Sequence, residues 1–302
     1  MSSFTIRDIE YLSGVKAHTI RVWEQRYNFL SPQRSETNIR YYSGEELKTI
    51  LNIALLNKYG FKISAIDKMS QAEIKENIHS LNNKEAETDC LVTVLVHHMI
   101  DLDMEQFEQV LGKYTNTNGI DETIQVIVFA FLEKIGALWQ TGHIHPAQES
   151  LVSNVLRQKL MAATERHKQT NPDQTILLFL PAGEHQELGL LYFNYVFKSK
   201  GIRTIYLGAN VPHEDVEQIL QSNKPDLIFT HLIAGSSVFH LEKFLKQVNS
   251  GFHAIPTIIS GYNIQHYKKK IPASVRLASS FGEVFDLVNE DAKRTKPLSQ
   301  NS

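Results

Sequence analysis

From Gln174 onward the chain alternates apolar runs of strand length with amphipathic runs of helix length, and that alternation admits few folds. The strand-like runs are Thr175 to Leu180, Thr204 to Leu207, Asp226 to Leu232, Pro256 to Ser260 and Val275 to Ala278. Helix-like runs fall between them, at about Leu188 to Lys198, His213 to Gln221, Val238 to Val248 and Ile264 to Lys270, with a last one from Gly282 to Asn289. Helical crossovers between such strands predict a doubly wound parallel sheet. Gly183, Gly208, Gly235 and Gly261 fall just past strand ends, where a ligand or a backbone can come close. The stretch from Leu178 to Gly189 reads as a strand that empties into a loop and opens a helix. In sheets of this kind ligands collect at the carboxyl ends of strands, so its polar tip, Glu184, His185, Gln186 and Glu187, is either a ligand site or an ordinary solvated turn.

The 302 residues leave room for two or three domains ahead of and including that sheet. A net charge of −2 is uninformative about partners until it is resolved locally. The single cysteine, Cys90, precludes an internal disulfide, fits a reducing cytoplasm, and sits in an apolar pattern that predicts a buried structural thiol. No apolar run approaches the ~18 residues of a membrane span, and no signal-peptide region precedes Phe4, so a cytoplasmic protein without membrane attachment is expected.

Near the N-terminus Phe4, Ile6, Ile9 and Leu12 recur at helical spacing, Ser13-Gly14-Val15 breaks the helix, and a second helix begins near Ala17. Two short helices around a glycine turn are a helix-turn-helix signature, with the second helix as reader. On or beside it Lys16, His18, Thr19, Arg21 and Arg26 offer donors for phosphates and base edges. Arg34, Asn38 and Arg40 lie in a polar hairpin closed by Tyr41-Tyr42, which reads as a wing. Residues 1 to 70 hold ten Lys and Arg against seven Asp and Glu, and the arginines cluster where reader meets wing. The segments Thr5-Ile6-Arg7-Asp8-Ile9, Thr19 to Tyr27 and Asn38 to Tyr42 resemble the winged-helix domain of MerR-family transcription regulators. That resemblance implies a homodimer, able to pair further into a tetramer, on a palindromic operator of double-stranded DNA. It implies no metal sensing, because the cysteine loop of metal-responsive members is missing.

Ser43 and Glu46 form a capping box ahead of Leu47, Ile50, Leu51, Ala54 and Leu55. The polar segment Ser70 to Lys84 reads as a linker. Four helical runs follow, Glu85 to Ile100, Met104 to Tyr114, Ile120 to Gln140 and Pro146 to His167, and their short joins predict a four-helix bundle. His97 and His98 read as a surface or capping pair. His143 and His145 lack a third ligand nearby, so no metal site is expected. The expected domains are therefore 1–75 (winged helix-turn-helix), 76–172 (bundle) and 173–292 (Rossmann-like α/β), with a disordered tail over 293–302.

Bundle followed by α/β domain resembles the cobalamin-binding module of methionine synthase and of CarH- and LitR-type light-responsive regulators. The family pattern, acidic-x-His-x-x-Gly, then Ser-x-Leu, then Gly-Gly, stands here as Glu184-His185-Gln186-Glu187-Leu188-Gly189, Thr230-His231-Leu232 and Ser260-Gly261. Trp139 and Glu149 occupy positions that in the light-responsive subgroup touch the upper face of the cofactor, and adenosylcobalamin is the implied candidate. The departures are specific. Gln186 stands where the family has its cobalt-ligating histidine, and an amide oxygen replaces imidazole poorly at a soft metal. Ser260 adds a side chain where the family's nucleotide tail passes. The expectation is a non-enzymatic DNA-binding regulator, a repressor, whose sensor half is of cobalamin-binding type and able to act without cofactor. The alternative is a corrinoid carrier for methyl transfer, which has no use for a DNA reader.

Overall fold

The computed structural model describes residues 4–81, 83–141, 145–167, 174–232, 241–252, 255–261, 264, 267 and 269–295, with the side chains of 137–141 and 292–295 left aside. It divides into two compact units, Met1–Leu156 and Arg157–Ser302.

The first unit opens with β1 (Phe4–Thr5), α1 (Ile6–Ser13), α2 (Ala17–Arg26), β2 (Gln33–Arg34) and β3 (Arg40–Tyr42). The strands form an antiparallel sheet in the order β1-β3-β2, with Phe4 opposite Tyr42 and Gln33 opposite Tyr41. A capping box starts α1, in which Asp8 accepts from the Thr5 N–H at 2.7 Å. Gly14 ends the helix in the left-handed region at φ 71°, donating to the Glu10 carbonyl. The Ser43 and Glu46 box starts α3 (Gly44–Lys58), which buries Leu47, Ile50, Leu51 and Leu55 as its spacing requires.

A short α4 (Ile63–Ile66) leads to α5 (Gln71–His79). The stretch expected to be a linker is thus helical. A third capping box, Ser70 with Glu73, starts α5, and Ile74 and Ile78, one turn apart, are buried. Two isoleucines on one face anchor a helix whose other residues are polar.

Then come α6 (Lys84–Asp101), α7 (Met104–Asn118), α8 (Ile120–Glu122), a π-helical segment Thr123–Val128, α9 (Phe129–Thr141) and α10 (Pro146–Glu165). The expected continuous helix Ile120 to Gln140 is therefore interrupted. The Thr123 hydroxyl donates to the Gly119 carbonyl at 2.7 Å, competing for the acceptor that the regular ladder uses. Leu95, Phe107, Ile124, Phe131 and Ile135 are buried in this region, with Phe107 edge-on to Phe131 at 5.4 Å. Cys90 is half-buried, and burial raises its thiol pKa. His97 is only partly exposed. Its Nε2 is buried without a hydrogen-bond partner among the described residues, and desolvation holds its pKa down to about 4.

The second unit holds β4 (Thr175–Pro181), α11 (Leu188–Ser199), β5 (Arg203–Val211), α12 (His213–Asn223), β6 (Leu227–His231), α13 (Leu241–Gly251), β7 (Thr257–Ser260), β8 (Val275–Ala278) and α14 (Phe281–Thr295). All five strands are parallel, in the order β5-β4-β6-β7-β8. Both faces are covered, which is why the strands are apolar throughout. Leu177, Phe179, Ile228 and Ile259 pack with Val216, Phe244 and Val248 on one face, while Leu178, Leu180, Phe229 and Ile258 pack with Leu190, Phe193, Phe197 and Val284 on the other. The winding direction reverses between β4 and β6, so their carboxyl ends open the crevice where such sheets hold ligands. The expected helix Ile264 to Lys270 lies largely outside the described residues. The last helix runs through Thr295, into the segment expected as tail, and residues 296–302 lie outside the described ones. Among the described residues no helix is long and apolar enough to cross a membrane.

Candidate functional site

Two surfaces gather the chemistry-bearing residues, and the first lies on α2. Ile20 and Trp23, three apart, are buried and fix the helix, so His18, Arg21, Val22 and Arg26 are left exposed. Lys16 stands at the N-cap, 3.5 Å from Glu10, and the Thr19 hydroxyl lies 3.3 Å from the His18 ring. The hairpin β2–β3 is tied to α2 through Glu24. Arg40 donates to it at 2.7 Å, and Arg34 lies 3.5 Å from its other oxygen while donating to Asn38 at 2.8 Å. The bond to Glu24 raises the pKa of Arg40. Tyr41 is half-buried within the sheet, paired with Thr5 and Gln33. Of the four arginines singled out in the sequence, two are thus tied to Glu24, Arg40 partly buried and Arg34 exposed. Arg21 and Arg26 form no ion pair among the described residues. A groove of about 650 Å³ is lined by Arg7, Arg21, Asn38, Ile39 and Arg40. Arg7 was not among the expected residues. Its signal was a cation in the exposed register of a helix whose other face is apolar.

The second surface is the crevice at the ends of β4, β6 and β7. Glu184 is 1% exposed and turned onto its own loop, accepting from the His185 and Gln186 N–H groups at 3.0 and 3.2 Å. Asn210 holds the loop from the other side, its amide oxygen accepting from the Gly183 N–H at 2.9 Å. His185 is exposed and Gln186 half-buried. Gly189, Thr230, Leu232 and Ser260 are all buried. The Thr230 hydroxyl has no hydrogen-bond partner among the described residues. A Cβ on Gly261, at φ 128°, would run into the Leu232 carbonyl.

At the centre of the crevice stands His231. Its Nδ1 lies 2.7 Å from the Ser260 hydroxyl, and its ring packs beside Phe193 and Phe281, centroids 5.4 and 5.7 Å away. The imidazole lies so close to Gly189 that a Cβ there would clash with it. Burial holds its pKa down to about 4, so it is neutral at pH 7.

Residues 4–73 match the MerR HTH family of regulatory proteins, and residues 91–163 and 175–275 match two B12 binding domain families. The chain is a DNA-binding transcription regulator that joins a MerR-type HTH domain to B12-binding-type domains. The regulator is 24% identical over 289 residues to the HTH-type transcriptional repressor CarA of Myxococcus xanthus, covering 94% of this chain and 96% of that one. It is 25% identical over 261 residues to the repressor CarH of the same organism, covering 83% and 86%. A solved monomethylamine corrinoid protein of Methanosarcina barkeri shares the fold at a TM-score of 0.53 and 13% identity, covering 65% of this chain and 95% of that one.

The B12-type match implies a corrinoid, and the residues present do not fit one held through an axial histidine with its tail in the crevice. Position 186 offers an amide, and Glu184, which would orient a ligand imidazole, bonds to its own loop instead. The passage beside Gly189 and Ser260 is filled by the regulator's own imidazole. Trp139 lies outside the residues whose side chains are described, and Glu149, on α10 in the first unit, is half-buried with its pKa raised by burial.

Sequence reasoning passed over His231 as the variable residue of a three-residue motif. A histidine closing an otherwise apolar central strand was the available signal. It also missed Glu187, which accepts from Arg157 and, at 2.7 Å, from the Tyr206 hydroxyl. Burial and that carboxylate push the Tyr206 pKa far up. The group ties the residue before α11 to Tyr206 of β5 and to Arg157 of α10.

Proposed function

We propose that the regulator is a repressor that binds a palindromic operator as a homodimer, with α2 in the major groove. Arg21 and Arg26, with Lys16, His18 and Thr19, meet base edges and phosphates. Arg34, Arg40 and Tyr41 shape a wing that Glu24 holds in place, and Arg7 adds a phosphate contact. In this reading residues 1–75 form the winged DNA-binding domain, 76–172 a four-helix bundle and 173–292 the α/β domain. The regulator acts without a corrinoid in its crevice. The observation that carries the DNA-binding part is the pair of exposed arginines on α2, beside a groove whose lining adds Arg7 and Arg40 together with Thr5, Asn38 and the single acid Asp8.

Fluorescence anisotropy with DNA from upstream of the regulator's own coding region tests this. The double variant Arg21→Ala, Arg26→Ala is expected to lose on the order of 100-fold in affinity, since each good base contact contributes about 1–3 kcal/mol. Wild-type binding should also fall steeply with salt. Unchanged affinity in the double variant sinks the reading. For the cofactor part, wild type and Gln186→His are expected to leave the absorption spectrum of added adenosylcobalamin unchanged. Gln186→His combined with His231→Ser and Ser260→Gly is expected to shift it. A shift with wild type overturns cofactor independence.

A further inference from the structure

Within the first unit lies a cavity of about 290 Å³ bounded by α1, α3, α6 and α9. Its lining combines the apolar side chains of Leu12, Leu51 and Leu55 with Lys58, Asp89 and Lys134. The size falls at the lower edge of the ~300–1,000 Å³ usual for small-molecule sites.

The charges in this cavity do not balance. Asp89 accepts from Lys58 at 2.6 Å and from the Tyr59 hydroxyl at 2.8 Å, so its carboxylate is already committed. Lys58 is further paired with Glu85 at 2.8 Å, nearer the solvent. Lys134 is mostly buried and has no hydrogen bond or ion pair among the described residues. Desolvation therefore holds its pKa below the ordinary lysine range, with Asp89 pulling it back and Lys58 opposing. A buried amine facing a partly apolar cavity, with the neighbouring acid already spoken for, lacks an anion.

We propose that this cavity binds a small organic anion, a carboxylate on an apolar body, with Lys134 as its principal partner and Lys58 as its second. The apolar lining selects a hydrophobic body, and two amines suit one carboxylate better than a phosphate, which needs more donors. The cavity also touches Ser13 and Gly14, the turn between α1 and α2. The Ser13 hydroxyl donates to the Ile9 carbonyl at 2.6 Å and accepts from the Val15 N–H at 3.2 Å, so it sets the geometry of that turn. Occupation of the cavity therefore acts on the presentation of α2, a consequence that rests on the DNA-binding reading above.

The test uses the full chain with benzoate as probe and benzamide, equal in shape and uncharged, as control. Benzoate is expected to raise the Tm saturably and to change operator affinity several-fold, while benzamide does neither. Lys134→Met is expected to raise the Tm of the free protein, because an uncompensated buried amine is removed, and to abolish the benzoate response. Lys58→Gln is expected to weaken that response several-fold. No saturable benzoate response, an equal response to benzamide, or an undiminished response in Lys134→Met overturns the site. A Tm response without change in operator affinity overturns the coupling alone. Absence of operator binding without any probe counts against the DNA-binding reading and leaves the thermal result to decide the site.

Discussion

The reading face and the sheet crevice are built alike, each from a turn with a left-handed glycine that feeds a helix, Gly14 before α2 and Gly183 before α11. They treat their polar side chains in opposite ways. On α2, Arg21 and Arg26 are exposed and form no ion pair among the described residues, as the proposed exchange of hydration for phosphate requires. In the crevice Glu184 satisfies its own loop, Glu187 is shared by Arg157 and Tyr206, and His231 bonds to Ser260. A polar group taken out of water must find its partner inside the protein or receive it from a ligand, and here the protein supplies nearly all of them. The Thr230 hydroxyl is buried without a hydrogen-bond partner among the described residues. The regulator is thus open at the helix proposed to read DNA and self-satisfied where its relatives' domain type is named for a cofactor.

That contrast can be broken by substitution. Gly261→Ala should have the largest effect, because the new Cβ meets a carbonyl and the backbone is at φ 128°. A loss of about 4 kcal/mol in urea unfolding is expected, from overpacking and backbone strain together. Arg26→Ala on the open face should change stability by less than about 0.5 kcal/mol. Near-equal effects would erase the distinction between the two regions.

Acid should separate them next. The folded-state pKa of His231 is about 4, below the ordinary value of 6.5, so between these values the unfolded chain binds a proton that the native chain does not. Stability from this group is complete above pH 6.5 and is lost as pH falls toward 4, amounting to about 2 kcal/mol at pH 5. His97 acts in the same direction, with a smaller contribution because it is partly exposed. Comparing urea midpoints at pH 7 and pH 5 for wild type and His231→Gln checks this, and equal acid sensitivity in both proteins would show that the imidazole is not the closed element.

The smallest expected effect is a coupling. Gly189→Ala should destabilise wild type by about 2 kcal/mol and the His231→Ala background by at least about 1 kcal/mol less, because the clash is with the ring itself. Strict additivity would mean that the ring does not fill the slot.

Much of the fold was legible because local rules suffice for it. Ser43 with Glu46 and the glycine at 14 announce helix ends through groups within four residues of one another. The apolar strands of the second unit announce a sheet covered on both faces. The misreadings share a cause. The segment Ser70 to Lys84 is polar by composition, yet Ile74 and Ile78 anchor a helix on neighbours far away in sequence. Arg34 and Arg40 read as free cations until Glu24 came within reach.

The sequence by itself determined the helix-turn-helix, the alternation of the second half and the presence of Gln186 at the expected ligand position, since each is carried by residue type and spacing. Only the tertiary structure decided which polar groups are already spent. Pairing between residues tens of positions apart, such as His231 with Ser260 or Arg157 with Glu187, depends on distances of a few ångströms that no local pattern encodes. That pairing is what closes one site and leaves the other open.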